Sequence, residues 1–154
     1  MMKAKQILFR FILFLGIFFF IISCSSDDDD DSSSATTQSQ IQSNIQSGTW
    51  RITSFIDSGT DETYHFTGYN FTFYSSGVLN ADNETISYDG TWSITNSSSS
   101  SDDDLDFNIN FNLTNDFEDL NDDWDIFLHS ATKIELIDIS GGNGGTDYLT
   151  FQKN

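Results

Sequence analysis

An all-β domain of antiparallel strands is the fold this sequence predicts, and three observations predict it. Leu105, Phe107, Ile109, Phe111 and Leu113 alternate without a fault against Asp106, Asn108, Asn110, Asn112 and Thr114, the period of two that buries one face of a strand and wets the other. Turn-forming groups recur at short intervals: Asp57-Ser58-Gly59, Thr67-Gly68, Ser75-Ser76-Gly77, Asp89-Gly90 and the run from Gly141 to Gly145, all residue types that tolerate positive φ. After Gly48 no apolar stripe at helical spacing is long enough to be a crossover helix. Short strands joined by tight turns, without crossovers, give an antiparallel sandwich or an up-and-down barrel.

The N-terminus comes first. Lys3 and Lys5 precede an apolar run from Ile7 to Ile22 in which Arg10 is the one charge, and the stretch from Phe11 to Ile22, with Gly16 in it, is 12 residues long. A spanning helix wants about 20, so a signal peptide over residues 1–23 is expected instead of a permanent span. Ile21-Ile22-Ser23-Cys24 then resembles the lipobox of bacterial lipoproteins. That resemblance implies cleavage between Ser23 and Cys24 and a diacylglycerol on the Cys24 thiol, with a further acyl chain such as palmitate on the new N-terminus. Two or three chains hold a protein on a bilayer almost permanently, at about 0.8 kcal/mol per buried methylene. Ser25 and Ser26 followed by Asp27, Asp28, Asp29, Asp30 and Asp31 look like the serine-plus-acidic export signal of Bacteroidota surface lipoproteins. The localisation implied is the outer membrane, lipid-anchored and exposed at the cell surface. Residues 24–47, acidic and then rich in Ser and Gln, read as a disordered tether. Within it Ile41 and Ile45, four apart, could share one face of a short helical turn.

The domain is expected over residues 48–154. Trp50, Ile52, Ser54 and Ile56 alternate in the first strand; Tyr69, Phe71 and Phe73 follow, then Trp92 and Ile94, then the run from Leu105. Weaker strands are expected at 77–82, 124–129, 132–139 and 146–152, with a short one around 63–66. Residues 96–104 read as a polar loop. The segment 115–123 is where a helical turn is expected, because Phe117 and Leu120 are three apart.

Gly48-Thr49-Trp50 at the head of the first strand resembles the glycine-any-tryptophan motif of lipocalins, and the segment 48–154 resembles the lipocalin-like lipoproteins of Bacteroidota, flavobacterial ones included. The resemblance implies an eight-stranded, antiparallel up-and-down β-barrel, with Gly48 and Trp50 as the structural motif closing one end and a small hydrophobic ligand admitted at the other. Lipocalins place an arginine near the last strand to pack on the tryptophan; this chain has Lys153 there. Gly90-Thr91-Trp92 echoes the motif.

Charge narrows the partners. After Cys24 only Arg51, Lys133 and Lys153 oppose 24 carboxylates, so phosphate backbones are repelled and no nucleic-acid partner is expected. With a single cysteine no internal disulfide can form, and stability must come from a core in which nine phenylalanines, all three tryptophans and all five tyrosines of the chain lie beyond residue 48. His65 and His129, the only histidines, are expected to be structural, and no catalytic set is visible, so no enzyme is expected. The acidic clusters at Asp102, Asp103, Asp104 and Asp106, and at Asp116, Glu118, Asp119, Asp122, Asp123 and Asp125, carry oxygen ligands of the kind calcium prefers. They lack the EF-hand spacing and its glycine and read as solvated surface, so neither metal nor cofactor is expected. The glycine run at 141–145 has neither the lysine nor the helix of a phosphate loop. Two roles fit this reading: a surface module that binds a small hydrophobic ligand, or a non-enzymatic structural or accessory module that meets a surface protein partner.

Overall fold

The computed structural model describes residues 30–96, 105–139 and 145–154. The element order is a helix α1 (Asp30–Ile45) followed by nine strands: β1 (Trp50–Asp57), β2 (Thr60–Asp61), β3 (Asn70–Phe73), β4 (Val78–Asp82), β5 (Ser87–Asn96), β6 (Leu105–Asn110), β7 (Asp122–His129), β8 (Lys133–Asp138) and β9 (Asp147–Lys153). Two 3-10 turns lie between them, at Thr63–Phe66 and Asp116–Leu120. Every pairing is antiparallel: from β3 onward each strand pairs with the next in the chain, β1 pairs with both β2 and β3, and β9 returns to pair with β1. The result is a closed eight-stranded up-and-down barrel, with β2 a two-residue hairpin extension of β1.

Closure leaves one thin seam. A single register pair, Trp50 with Phe71, joins β1 to β3. Asn154 stitches across it: its backbone N–H donates to the Thr49 carbonyl at 3.0 Å, and its side-chain amide donates to Thr49 Oγ1 at 3.1 Å and Asn70 Oδ1 at 2.7 Å.

Burial follows the alternation in β6, where Leu105, Phe107 and Ile109 point inward. The strand stops at Asn110, short of the alternating run, because Asn121 folds back on Phe111: its side chain accepts the Phe111 N–H and donates to the Phe111 carbonyl at 2.9 Å. In β1 a bulge between Ile52 and Ser54 shifts the phase. Phe55 is buried in consequence, and Ser54 and Ile56, expected inward, face out.

Three other expectations are corrected. Residues 63–66 form a 3-10 turn, not a strand; Phe66 drops into the core, and the Phe55 carbonyl and N–H both meet Thr63 Oγ1. Asp89-Gly90 is not a turn but lies inside β5, and the chain reverses earlier, at 83–86. There Asn83 Oδ1 accepts the N–H groups of Thr85 and Ile86, and Glu84 takes φ 69°. The third is α1. Residues 30–45 are helical rather than a disordered tether, and Ile41 and Ile45 are 2% and 1% exposed, part of the same core as the barrel. The packed unit therefore begins before Gly48.

Candidate functional site

A barrel of eight strands is just wide enough to be filled by side chains or to hold one small ligand, so its two ends and its axis are where function is to be sought. At the end where β1 begins, α1 lies against the opening. Gln38 donates to the Ile94 carbonyl at 2.7 Å, and Trp50, 1% exposed, donates its indole N–H to the Ile45 carbonyl at 2.8 Å. That bond satisfies both a buried indole and one of the helix's unpaired terminal carbonyls. Lys153, opposite Trp50 in the β1–β9 register, holds its ammonium 5.6 Å from the indole ring centroid and donates to Ser47 Oγ at 3.1 Å. Lysine thus occupies the position where the lipocalin resemblance implies an arginine, and makes a cation–π contact there. Gly48 carries φ +81°, and a Cβ on it would come 3.1 Å from Lys153 Cε. Gly48, Trp50 and Lys153 therefore form one assembled end.

The second Gly-Thr-Trp does something different. A Cβ on Gly90 would stand 2.6 Å from the Asn110 carbonyl oxygen and 2.7 Å from the Phe111 ring, so glycine here lets that ring lie against β5. Trp92 donates its indole N–H to the Tyr74 carbonyl at 3.0 Å. Two shallow surface grooves flank Gln46 at this end, about 480 Å³ beside Thr49 and Tyr74 and about 330 Å³ beside Gly77 and Trp92.

The opposite end is closed by the two 3-10 turns. Phe66, Phe117 and Leu120 are buried there, and the Phe117 ring meets Phe66 at 5.4 Å, Tyr69 at 5.0 Å, Tyr88 at 4.9 Å and Phe111 at 5.1 Å between centroids. Between the ends the rings are continuous. Trp92 packs on Phe73, Phe73 on Phe151, Phe151 on Phe71 and Phe71 on Phe117; from Phe66 the contacts go on through Phe55 to Trp124. This aromatic column, not visible in any local motif, occupies the axis where a ligand would sit.

Around the closed end the surface is acidic. His65 Nδ1 and Asp116 Oδ2 are 2.8 Å apart. Burial pushes the Asp122 carboxyl up to about 6, with Asp138 and Asp123 adding repulsion against a bond from the Asp123 backbone. Burial also raises Asp119, with the charges of Asp57, Asp116 and Glu118 in the same direction. Asp61 is lowered by its bonds to Thr63. Among the described residues no three His, Cys, Asp or Glu side chains converge as metal ligands. His129 ends β7, at the α1 end, so the two histidines do not share a site.

The other residues singled out in the sequence, Ser23, Cys24, Ser26, Asp27, Asp28 and Asp29, lie outside the described residues, as do Asp102, Asp103 and Asp104. Among the described residues no helix is long and apolar enough to cross a membrane. Sequence reasoning passed over the contact of His65 with Asp116, which the spacing of the two residues did not signal. It also passed over Phe127 and Leu128, for which three successive apolar residues, Ile126-Phe127-Leu128, were the available sign of a bulge.

No protein-family model and no curated protein matches the chain. Among solved structures, the chain is similar to a DUF4847 family protein from Bacteroides vulgatus, with 18% identity and a TM-score of 0.49 over 74% of this chain and 97% of that one.

Proposed function

We propose that this chain is an outer-membrane lipoprotein, anchored through acyl chains on Cys24 and displayed at the cell surface, whose barrel is a non-enzymatic interaction module and not a container. One observation carries the second half of that reading: the barrel axis is occupied by the protein's own rings, from Trp92 at the α1 end to Phe117 and Phe66 at the other. A small hydrophobic ligand inside this barrel would have to displace side chains such as Phe117 and Phe71, which are 3% and 0% exposed. The anchor rests on the lipobox resemblance of Ile21-Ile22-Ser23-Cys24 and on the abrupt change to serine and aspartate after it.

Mass spectrometry of the natively purified protein tests the module against the container. The expected spectrum shows the acylated chain with no small molecule, together with any partner chains that remain bound. A stoichiometric lipid or pigment overturns the reading in favour of a carrier.

A further inference from the structure

The outer wall of the barrel carries an apolar seat that the core does not explain. A bulge between Ile126 and Leu128 spoils the alternation of β7 and puts two apolar side chains in water, Phe127 at 71% and Leu128 at 47% exposure. Bulges re-aim side chains in this way. Across the next strands the register places Asp106, Asp125, Ile137, Tyr148, Ile56 and Asp61 in one transverse row. The row reads acid, acid, aliphatic, aromatic, aliphatic, acid. Tyr148 is 47% exposed, and Ile56 and Ile137 are half-buried. Beside the row, Phe127, Tyr148 and Ile56 enclose a groove of about 310 Å³ with Ser54, Glu135 and Thr150. Of the cations near it, Lys133 is paired with Glu135 and Arg51 is bonded to the side-chain oxygens of Asn154 and Gln152.

We infer that this wall is a docking surface for a basic polypeptide that presents an aliphatic or aromatic side chain flanked by lysine or arginine. The inference rests on the interaction-module reading above and names the partner's chemistry. Charge complementarity selects the occupant: the seat is apolar, its flanks are Asp125 and Asp61, and the chain beyond Cys24 has three cations against 24 carboxylates. A second copy is disfavoured, because a two-fold contact through this row would set carboxylates against carboxylates. Anionic lipid is disfavoured for the same reason. Strand addition needs an exposed sheet edge, and β7, β8 and β9, which carry Phe127, Ile137 and Tyr148, are each paired on both sides, so the partner must be read by side chains on the face.

The test uses the full chain in zwitterionic phosphatidylcholine nanodiscs and a fluorescein-labelled peptide, Arg-Arg-Leu-Trp-Leu-Arg-Arg, followed by anisotropy. The expected result is saturable binding that weakens with salt. Phe127→Ser and Tyr148→Ser should each weaken it about tenfold, as loss of an aromatic anchor does. Tyr74→Ser, which removes a tyrosine of similar exposure (49%) at the α1 end, should leave it within about twofold. Far-ultraviolet dichroism of the variants controls for folding, and both anchors are on the surface. The inference is overturned if Phe127→Ser and Tyr148→Ser bind as tightly as Tyr74→Ser, or if a peptide with glutamate in place of arginine binds equally well. It is also overturned if the same two variants abolish self-association of the chain or binding to peptide-free anionic vesicles, which would assign the seat to a second copy or to lipid. A stoichiometric small molecule in the native mass spectrum overturns the module reading and leaves the peptide titration as a separate result.

Discussion

Replacing Ile45 by alanine tests whether residues 30–45 belong to the folded unit. The side chain is 1% exposed and sits in the same core as Trp50 and Phe73. Truncation removes three carbons, about 2.4 kcal/mol at 0.8 kcal/mol per buried methylene, and the cavity left behind brings the cost into the range of roughly 2–5 kcal/mol measured for such changes. The Ile45 carbonyl that receives the Trp50 indole N–H at 2.8 Å is a backbone group and survives the truncation, so the expected cost is that of the lost side chain and its cavity. For a domain of about 100 residues, 1 kcal/mol moves the midpoint by roughly 4–8 °C, so a fall of 10 °C or more is predicted. Ile41→Ala should cost a similar amount, and the double variant less than the sum because the two side chains share a cavity. Urea and thermal unfolding of the purified protein, followed by tryptophan fluorescence, measure this directly. Ser43→Ala, on the exposed side of α1, should change the midpoint little. If Ile45→Ala and Ile41→Ala unfold with the unaltered protein, α1 contributes nothing to the fold and the segment is the tether its composition suggests.

Gly90→Ala should destabilise by about 3 kcal/mol or more, since its Cβ would stand 2.6 Å from the Asn110 carbonyl and overpacking against backbone has no soft escape; the urea midpoint reports it. Asp122, pushed up to about 6 by burial and by Asp138 and Asp123, binds its proton more tightly folded than unfolded, so its contribution to stability is largest below the unfolded value near 4 and is lost as pH rises through about 6. Thermal midpoints should therefore rise on going from pH 7 to pH 5, and Asp122→Asn should raise the midpoint at pH 7 and flatten that slope. Cys24→Ser should move the protein out of the membrane fraction, and replacing Asp27 to Asp31 by alanine should shield it from protease added to whole cells; unchanged fractionation or unchanged accessibility would remove the anchor or the export role respectively.

The barrel was legible where the physics is local. Alternation in β6 and β5, and the glycines at 59, 68 and 77 with φ above +80°, are determined by neighbouring residues and read correctly from them. The errors came where a distant contact decides. Asp89-Gly90 has turn chemistry, yet Phe111 and the Asn110 carbonyl, twenty residues on, require a glycine inside a strand. Two bulges, at Thr53 and Phe127, change which residues face inward, and periodicity carried through a bulge assigns the wrong face beyond it. The helix was illegible for a similar reason. Its Ser, Thr, Asp and Asn content gives little intrinsic helicity, and a helix of that length is marginal in water, so the docking of Ile41 and Ile45 on the barrel stabilises it. At the α1 end, Gly48 and Trp50 meet Lys153, and the cation over the indole is the lysine the last strand offers.

The helix also changes what the proposed anchor can do. A disordered tether over residues 24–47 would let the barrel roam, whereas Cys24 lies only six residues before Asp30, where α1 begins. Six residues span at most roughly 20 Å, and sixteen helical residues add about 24 Å. In the anchored protein proposed above, the end capped by α1 therefore stays within about 45 Å of the lipid. Charge does not orient the barrel further. Arg51, Lys133 and Lys153 stand at the α1 end, at the start of β1, the start of β8 and the end of β9, but Asp106 and Glu135 share that end with them and α1 itself begins with Asp30 and Asp31, and Asp57, Asp116, Asp119, Asp122 and Asp138 gather at the other. Both ends carry carboxylates, so the length of the connection, not a charge gradient, limits how far the barrel can stand from its anchor.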